Sequence, residues 1–512
     1  MLKRRFFLHP PRRCCSSGLH AAICQHSLFS KRKPPARLQW FRVVELGIAM
    51  KKRNDAVADS FEHGGEQAPL VDGSKKSPSY VFVVVATWIM FVEGMGGIAS
   101  LAISYYFKDD MKVDPATLST IQSIAAFPWC LKPVFGFISD GFPIMGFRRK
   151  PYIMMGGLIG AVSWFLFAGA VNSVWGGFVC MILSNIGIAM ANVIAEALIV
   201  ERSRGEEQHY ASTLQSIIWG SFSIAGVISA FLSGWLIKYI SYKSTFAIAG
   251  IFPLTLVFCA LLIEEKAHAA VRMDVIKSQA KQLLNTFFLP NILRPCIFIF
   301  LLNGTPSSGA TWFYFYTDVL KFDSEFIGLI GTVGSIAQLA GVFLFQSMLT
   351  RAHYRSILMW STIASAFLGL TNLIVIFRWN VHWGIPDGFF MLGESAIGSV
   401  VGWINTMPVL VLAARLCPSG MEATMYALIM SINNFGGVVG TLTGSIVTNM
   451  LGVTAKHLDN FWLLVLICNL TTLLPLLLIN WIPEEDPVDI QAAPSHDEVA
   501  VSSYGAVAAG ED

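Results

Sequence analysis

Residues 128–152, PWCLKPVFGFISDGFPIMGFRRKPY, place one lysine inside an apolar run and end that run on an acid followed by three bases. Lys132 lies in the apolar part, Asp140 ends it, and Arg148 and Arg149 follow a short Gly/Pro turn. A helix that crosses a bilayer carries apolar residues, and the basic residues gather in the loops on the cytoplasmic side. The stretch therefore predicts a transmembrane helix, a tight loop and the start of a second helix.

The composition of the whole chain agrees with this interpretation. Of its 512 residues, 54% are hydrophobic and 13% are charged, and the mean hydropathy is +0.58. Soluble domains carry about 25% charged residues, so the composition argues against a soluble protein. Long apolar runs recur from residue 80 to residue 482, whereas a β-barrel would show short alternating segments. The sequence predicts an all-α membrane protein.

Twelve transmembrane helices are predicted, six within residues 80–263 and six within residues 292–482, the seventh over residues 292–317. Residues 264–291 are polar and basic, and the amphipathic pattern VRMDVIKSQAKQLL predicts a cytoplasmic connector helix. Two blocks recur about 210 residues apart: FGFISDGFPIMGFRRKPYI matches FLFQSMLTRAHYRSIL, and GVISAFLSG matches GVVGTLTGS. Two six-helix halves related by parallel repetition describe the major facilitator architecture.

The two ends of the chain differ in composition. Residues 1–79 are polar, and residues 1–49 are rich in Lys and Arg with Glu45 as their acid. This composition is typical of an organelle transit peptide; the alternative is a basic disordered tail, or a chain that starts at Met50. Residues 483–512 are acidic and contain no Lys or Arg, which predicts a disordered tail.

The charges in the loops predict the orientation. The loops on the side of both termini hold Arg148, Arg149, Lys150, Arg351, Arg355 and Arg415. The loops on the other side hold scattered bases, several beside Asp: Lys108, Lys112, Lys321 and Lys456. By the positive-inside rule both termini face the cytoplasm, or the stroma in a plastid. The multi-pass protein is thus expected in the plasma membrane or the plastid envelope.

Four ionisable side chains lie inside predicted spans: Glu93 in helix 1, Lys132 in helix 2, Glu196 in helix 4 and Glu394 in helix 10. Such residues are costly in a bilayer and are candidates for a transport pathway. Helices 1, 4, 7 and 10 line the central cavity in the major facilitator architecture, so three of the four are expected to face it. The alternative is a structural ion pair of Lys132 with Glu93 or Glu196.

Residues 128–152 resemble the signature of the folate–biopterin transporter family, P-W-x-x-K-P-x-x-G-x-x-S-D-x-x-P-x-x-G-[YF]-R-R. Three further blocks are similar to that family in its order: ISYYFKDDMKVDPATLSTIQ, TLQSIIWGSFSIAGVISAFLSG and MPVLVLAARLCPSGMEATMYALIMSINNFGG. Together the blocks cover most of residues 80–482. The chain departs from the family pattern in helix 4, where Asn192 and Glu196 replace two aspartates, and in helix 10, where Glu394 replaces one.

The resemblance implies a proton-coupled secondary transporter of folates or related pterins that works by alternating access in a lipid bilayer. Such a substrate carries carboxylates, a pterin edge with hydrogen-bond donors, and rings that stack. Lys132 is the candidate for the carboxylates, and Glu196 with Asn192 and Asn185 for the pterin edge. The candidates for stacking are Trp129, Trp312 and Tyr316. S-adenosylmethionine, which members of this family also carry, is the rival substrate, and a non-transporting membrane receptor is the rival class.

The loop that follows helix 2 is interpreted as a gate. Asp140 is predicted to pair with Arg148 or Arg149 when the cytoplasmic face is closed, and Arg415 marks the corresponding region of the second half. The sequence contains no motif of a soluble enzyme, and no cofactor, metal or nucleic-acid partner is expected. Its nine cysteines show no CxxC pair and no His/Cys spacing of a metal site.

Overall fold

The computed structural model describes residues 80–203, 208–263, 265, 273–349, 352–417 and 422–483. These residues form helices joined by loops, with an isolated β-bridge between Ile144 and Phe147. The prediction of an all-α fold is confirmed for this part of the chain. The predicted terminal regions, 1–79 and 483–512, lie outside the described residues except for residue 483.

The first half consists of six helices, called helices 1 to 6: Val81–Asp110, Pro115–Gly141, Lys150–Gly169, Val174–Ser203, Gln208–Tyr239 and Tyr242–Leu261. Helix 1 packs against helices 4, 5 and 6, and helix 3 packs against helices 4 and 6.

The second half begins after the connector helix, Met273–Phe287. Helix 7 consists of two pieces, Pro290–Asn303 and Gly309–Tyr314, and a π-helical turn continues the second piece. Helices 8 to 12 are Ser324–Leu349, Tyr354–Ile376, Asp387–Arg415, Glu422–Met450 and Phe461–Trp481. Eleven helices of the described chain are long and apolar enough to cross a membrane. The connector segment Lys277–Phe287 and the first piece of helix 7, Pro290–Asn303, are bent by 79° relative to each other and give a twelfth span if the two count as one.

The prediction of a continuous helix 7 over residues 292–317 is wrong, because the helix stops at Asn303 and resumes at Gly309. Pro306 explains the break: proline has no backbone N–H and disfavours a helical conformation at the residue before it. The broken backbone is satisfied by helix 11, since the N–H of Ser307 donates to the carbonyl of Gly440 at 3.1 Å. Backbone outside a helix is tolerated at membrane depth only when it is paired within the protein.

Helix 2 changes geometry in its middle. A 3₁₀ turn, Phe127–Leu131, separates its first piece from a second piece that starts at Lys132. Pro128 and Pro133 flank this change, and each removes one backbone donor from the helix. Lys132, the charged residue predicted in helix 2, is therefore the first residue of the second helical piece, directly after the 3₁₀ turn.

The two halves meet mainly along two pairs of helices, helix 2 with helix 11 and helix 5 with helix 8, and the second piece of helix 7 also packs against helix 2. In the second pair, Gly234 of helix 5 faces Gly328 of helix 8, and a Cβ built on Gly328 would lie 2.9 Å from the Cα of Gly234. Small residues at such crossings let two helices of a membrane protein approach closely.

Helices 3 and 4 also meet at glycines. A Cβ built on Gly156 would lie 2.5 Å from the carbonyl oxygen of Gly187, and a Cβ on Gly187 would lie 2.5 Å from that of Gly156. Because the obstacle is backbone on both sides, no side chain can rotate away to make room.

Replacing Gly187 by alanine should force helices 3 and 4 apart and lower the free energy of unfolding by about 1–3 kcal/mol, the usual cost of overpacking. Thermal unfolding of the purified protein in detergent measures the change. Gly226→Ala in helix 5 is the matched control, since a Cβ there meets nothing within 4 Å. Equal melting temperatures for Gly187→Ala and wild type would mean that the two helices are not in tight contact.

Candidate functional site

Lys132 and Glu196 form an ion pair between helices 2 and 4. The ammonium nitrogen of Lys132 lies 3.1 Å from Oε1 of Glu196, and the lysine is buried. The same nitrogen lies 5.1 Å from the ring centroid of Trp129, which is a cation–π distance. Of the two acids predicted as partners of Lys132, the structure brings Glu196 into contact.

Glu93 of helix 1 lies beside this pair and is bonded to Asn192. Nδ2 of Asn192 donates to Oε2 of Glu93 at 2.5 Å. Asn192 is buried, and its Oδ1 has no hydrogen-bond partner within the residues that the structure describes. Glu93 lies within electrostatic range of both Lys132 and Glu196. We call these four residues the midspan cluster.

The polar residues of helix 4 share one side of that helix. The indole N–H of Trp129 donates to Oδ1 of Asn185 at 2.8 Å, while Asn192 and Glu196 contact helices 1 and 2. Their spacing along the sequence predicts this common face. Of the three aromatic candidates, Trp129 lies at the midspan cluster, whereas the other two belong to an apolar core of the second half formed with Phe461: Trp312 and Tyr316.

Glu394 lies in the other half and has a partner of the same kind as Glu93. Nδ2 of Asn372 in helix 9 donates to Oε1 of Glu394 in helix 10 at 3.1 Å. Asn372 is buried, and its Oδ1 likewise lacks a hydrogen-bond partner in the described chain. Each half therefore holds a Glu–Asn pair whose asparagine is buried.

Asp140 ends helix 2 and pairs with Arg149, one of its two predicted partners. Nη1 of Arg149 lies 2.8 Å from Oδ1 of Asp140 and 3.1 Å from the hydroxyl of Ser139. The backbone N–H groups of Arg148 and Arg149 bond instead to Glu265, an acid beyond helix 6 that the sequence did not single out. We call this end of the molecule the Asp140 face.

Arg415, the candidate of the second half, ends helix 10. Its guanidinium carbon lies 5.2 Å from the ring centroid of Tyr354 at the start of helix 9. Residues 418–421, which follow, lie outside the described part of the chain. The contact joins two helices of one half.

The opposite end, called the Lys108 face, contains an ion pair that crosses between the halves. The ammonium nitrogen of Lys108 in helix 1 lies 2.7 Å from Oδ1 of Asp318 in helix 7 and 3.6 Å from Oδ1 of Asp109. The side chain of Lys108 is 13% exposed, so water screens this pair weakly. Next to it, the hydroxyl of Tyr314 donates to the carbonyl of Val113.

A second crossing pair joins helix 5 to the start of helix 8. Lys238 lies 3.2 Å from Oδ2 of Asp323 and also contacts the carboxylate of Glu325. The N–H of Phe326 donates to Asp323, and this bond together with the ammonium of Lys238 lowers the pKa of that carboxyl. A lowered pKa means that the interaction is present above the ordinary Asp range, near 3.9, and is lost only as the pH falls through the lowered value.

Both crossing pairs take their aspartate, Asp318 or Asp323, from a segment that is repeated in the two halves. The pattern Y-x₃-D-x₂-K-x-D occurs at residues 105–114 and again at residues 314–323. Each copy contains a π-helical turn, Tyr106–Asp110 or Phe315–Val319. In each copy the lysine has a left-handed backbone, with φ of 53° at Lys112 and 57° at Lys321. This repeat is the sequence signal that could have located the Lys108 face.

Further hydrogen bonds that join helix 2 to helix 11 lie towards the Lys108 face. The hydroxyl of Ser123 donates to the carbonyl of Val438 at 2.7 Å, and that of Ser445 donates to the carbonyl of Ala116 at 2.6 Å. Oδ1 of Asp114 accepts the N–H of Ala455 at 2.9 Å. The halves are thus joined by polar contacts at this end.

The sequence matches the BT1 family over residues 93–499. It is 42% identical to the "Folate-biopterin transporter" of Synechocystis sp. over 412 residues, which is 80% of this chain and 83% of that protein. It is 31% identical to "Probable folate-biopterin transporter 2" of Arabidopsis thaliana (80% and 83% of the two chains). It is 29% identical to "Folate transporter 1" of Plasmodium falciparum (83% and 84%).

Solved structures of transporters share the fold. The crystal structure of nucleoside transporter NupG superposes with a TM-score of 0.61 at 15% identity, covering 78% of this chain and 98% of that chain. The crystal structure of the D-xylose-proton symporter gives a TM-score of 0.60 at 12% identity, covering 79% and 98%. The predicted major facilitator architecture, two six-helix halves, is thereby confirmed. The family match and the relatives, together with this fold, show that the protein is a transporter and not an enzyme.

If Lys132 and Glu196 stabilise each other, then Lys132→Met should leave an uncompensated carboxylate between the helices. Loss of one partner of a fully buried pair costs about 3–5 kcal/mol; we expect less here, up to about 3 kcal/mol, because the side chain of Glu196 is 28% exposed. The double variant Lys132→Met, Glu196→Gln should recover most of this loss. Thermal unfolding of the wild type, both single variants and the double variant forms the complete cycle.

The control for that cycle is Lys277→Met on the connector helix, where the lysine is exposed; its stability should match wild type. Additive losses in the double variant would show that the two charges do not depend on each other.

Asp318→Asn should weaken the crossing pair of Lys108 and open the Lys108 face. Spin labels at Met111→Cys and Val319→Cys, in a variant without the native cysteines, should show a shift to longer distances by double electron–electron resonance. Asp459→Asn, an exposed acid of the same face, is the control. Unchanged distances in Asp318→Asn would contradict a locking role for the pair of Lys108 and Asp318.

Acidification from about pH 7.5 to 5.5 should leave Lys238 paired with Asp323, because Asp323 keeps its charge in this range.

Proposed function

Because the chain belongs to the BT1 family, we propose that it carries folates or related pterins across a membrane, coupled to protons, by alternating access of its two halves. The substrate class is taken from the relatives, whose names give folate or folate and biopterin as what they transport. The coupling and the mechanism are argued from the midspan cluster and from the contacts between the halves.

The observation that carries the proposal is the midspan cluster itself. A folate offers carboxylates that need a cation and a pterin edge that needs acceptors. Lys132 supplies a buried cation, and Trp129 supplies an aromatic face 5.1 Å from its ammonium. Oδ1 of Asn192 supplies a buried acceptor, which costs free energy while no donor reaches it. Lys132 thus matches the carboxylates of a folate, Trp129 its rings, and Asn192 the donors on its pterin edge.

The charges of the cluster support proton coupling. Glu93 and Glu196 share a single lysine, so two ionised acids would leave one negative charge without a cation. An uncompensated charge at membrane depth is strongly disfavoured. A proton on one acid removes the imbalance, and a substrate carboxylate that binds Lys132 would make that proton still more necessary. Binding of the substrate and of the proton would therefore favour each other. Glu394, bonded to Asn372, is the corresponding acid of the second half.

The two ends of the molecule support alternating access. In the proposed orientation the Asp140 face is cytoplasmic, or stromal in a plastid envelope, and the Lys108 face lies on the other side. The ion pairs of Lys108 and Lys238 hold the halves together at the Lys108 face, which is the arrangement expected when a transporter is closed there. Asp140, Arg148, Arg149 and Arg415 would shape the gate on the cytoplasmic side.

The test is uptake of radiolabelled folate into cells that lack their own folate carrier, at external pH of about 5.5 and 7.5. We expect concentrative uptake that is faster at the lower pH and is abolished by a protonophore. Lys132→Met should raise KM for folate by about 10-fold or more, since a hydrogen bond to a charged group contributes about 1.5–3 kcal/mol. The double variant Lys132→Met, Glu196→Gln should reach the membrane and fail to concentrate folate.

Competition by unlabelled biopterin and S-adenosylmethionine in the same cells separates the alternatives. Accumulation of S-adenosylmethionine without folate would overturn the substrate class. Uptake that ignores pH and protonophore would overturn the coupling. A surface protein that moves none of these solutes would favour a receptor.

A further inference from the structure

Glu265 forms an unusual set of bonds just after helix 6. Its Oε1 accepts the backbone N–H of Arg148 at 2.6 Å and that of Arg149 at 3.0 Å. Its Oε2 accepts the N–H of Arg149 at 3.1 Å and that of Lys150 at 3.0 Å. One carboxylate thus binds three consecutive backbone N–H groups, two at the end of the loop between helices 2 and 3 and one at the first residue of helix 3.

These N–H groups belong to the start of helix 3, which begins at Lys150. The first N–H groups of a helix have no partner inside it, and a negative charge near them is favoured by the helix dipole. The N-cap residue, Arg149, provides no side-chain cap. Glu265 therefore caps helix 3 from a separate segment of the chain.

The cap fixes the residue that reaches helix 2. With its backbone N–H held by Glu265, Arg149 extends its guanidinium to Asp140 and Ser139, the last polar residues of helix 2. Arg149 is 7% exposed, so few other conformations are open to it. The end of helix 2 is in turn part of the contact between the halves, because Phe137 packs against the apolar core of the second half.

We propose that Glu265 is a positioning residue for transport: by capping helix 3 it holds Arg149 against Asp140 and so keeps the end of helix 2 in the shape that meets the second half. The proposal rests on the proposed function, since it assigns Glu265 a part in that transport cycle. Glu265 also lies, along the chain, between helix 6 and the connector helix.

The chemistry of the bonds selects the variants. Glu265→Gln keeps the length of the side chain but replaces one acceptor oxygen by an NH₂ group, which cannot accept from the backbone and carries no charge. Glu265→Asp keeps both oxygens on a shorter chain. The carboxylate of Asp459, exposed at the other end of the molecule, provides the matched control Asp459→Asn.

Hydrogen–deuterium exchange of the purified, full-length protein tests the cap directly and needs no substrate. Exchange in the peptide that contains residues 148–150 should be at least about 10-fold faster in Glu265→Gln than in wild type, intermediate in Glu265→Asp, and unchanged in Asp459→Asn. Wild-type exchange in Glu265→Gln would overturn the proposal.

Uptake kinetics per molecule at the membrane test the part in transport. Glu265→Gln should lower the maximal rate several-fold with KM for folate unchanged, because the midspan cluster is untouched, and Glu265→Asp should restore part of the rate. The double variant Glu265→Gln, Asp140→Asn should be no slower than Asp140→Asn alone, since Glu265 acts through that pair. Fast exchange combined with a wild-type maximal rate would reduce Glu265 to a structural cap and overturn the proposal.

Failure of the two proposals can be told apart. If the wild-type protein carries no folate or pterin, the proposed function fails, while the exchange measurement still decides whether Glu265 caps helix 3. If the wild type transports and Glu265→Gln is too unstable to purify, Glu265→Asp gives the same comparison with both acceptor oxygens retained.

Discussion

The ion pair between Lys132 and Glu196 is the interaction on which the interior of this protein depends. A lysine at membrane depth must find a partner inside the protein, and Lys132, directly after the 3₁₀ turn of helix 2, finds it in helix 4. Trp129 covers the ammonium, and Asn192, on the same helix as Glu196, donates to Glu93. The pair adds little net stability because desolvation opposes it. Its value lies in fixing which side chains meet, and it leaves the cluster with one acid more than it has bases.

Backbone N–H and C=O groups at membrane depth must also find partners inside the protein. Helices 2 and 7 contain prolines that remove helical hydrogen bonds, and each break is placed where another helix is close. At the break of helix 7 the N–H of Ser307 finds the carbonyl of Gly440, and glycine at that position leaves room for the approach. At the 3₁₀ turn of helix 2 the amide of Asn434 in helix 11 donates to the carbonyl of Trp129 at 3.3 Å. The irregular turn of helix 2 therefore lies at the contact between the halves, whereas the break of helix 7 is paired within the second half.

Hydropathy, charge and the spacing of polar residues predicted the apolar helices and the two halves, and they left Glu93 and Glu196 as alternative partners of Lys132, of which the structure shows Glu196. These features follow from period and composition, which are local. The break in helix 7 was not predicted, because the apolar run continues through Pro306 and hydropathy does not record that proline lacks a backbone N–H. Lys108 was interpreted as a scattered loop charge and Asp318 was not singled out, because a pair between residues so distant along the chain needs the fold to bring them together. Glu265 was missed for another reason: its partners are backbone N–H groups, which leave no mark in the sequence.

The two ends of the molecule hold their charges in different ways, and this difference assigns them different tasks. Asp140, Arg149 and Glu265 all belong to the first half and the segment that follows it, so in the proposed alternating access their bonds can persist while the halves move. Lys108 with Asp318, and Lys238 with Asp323, join opposite halves and would have to separate if that end opens. Since Asp323 keeps its charge at mildly acidic pH, protons have little leverage on the pair that it forms. In the proposed cycle, the free energy that separates the halves at this end would come from the interior, where a proton and a substrate are proposed to alter the balance between Lys132 and its two acids.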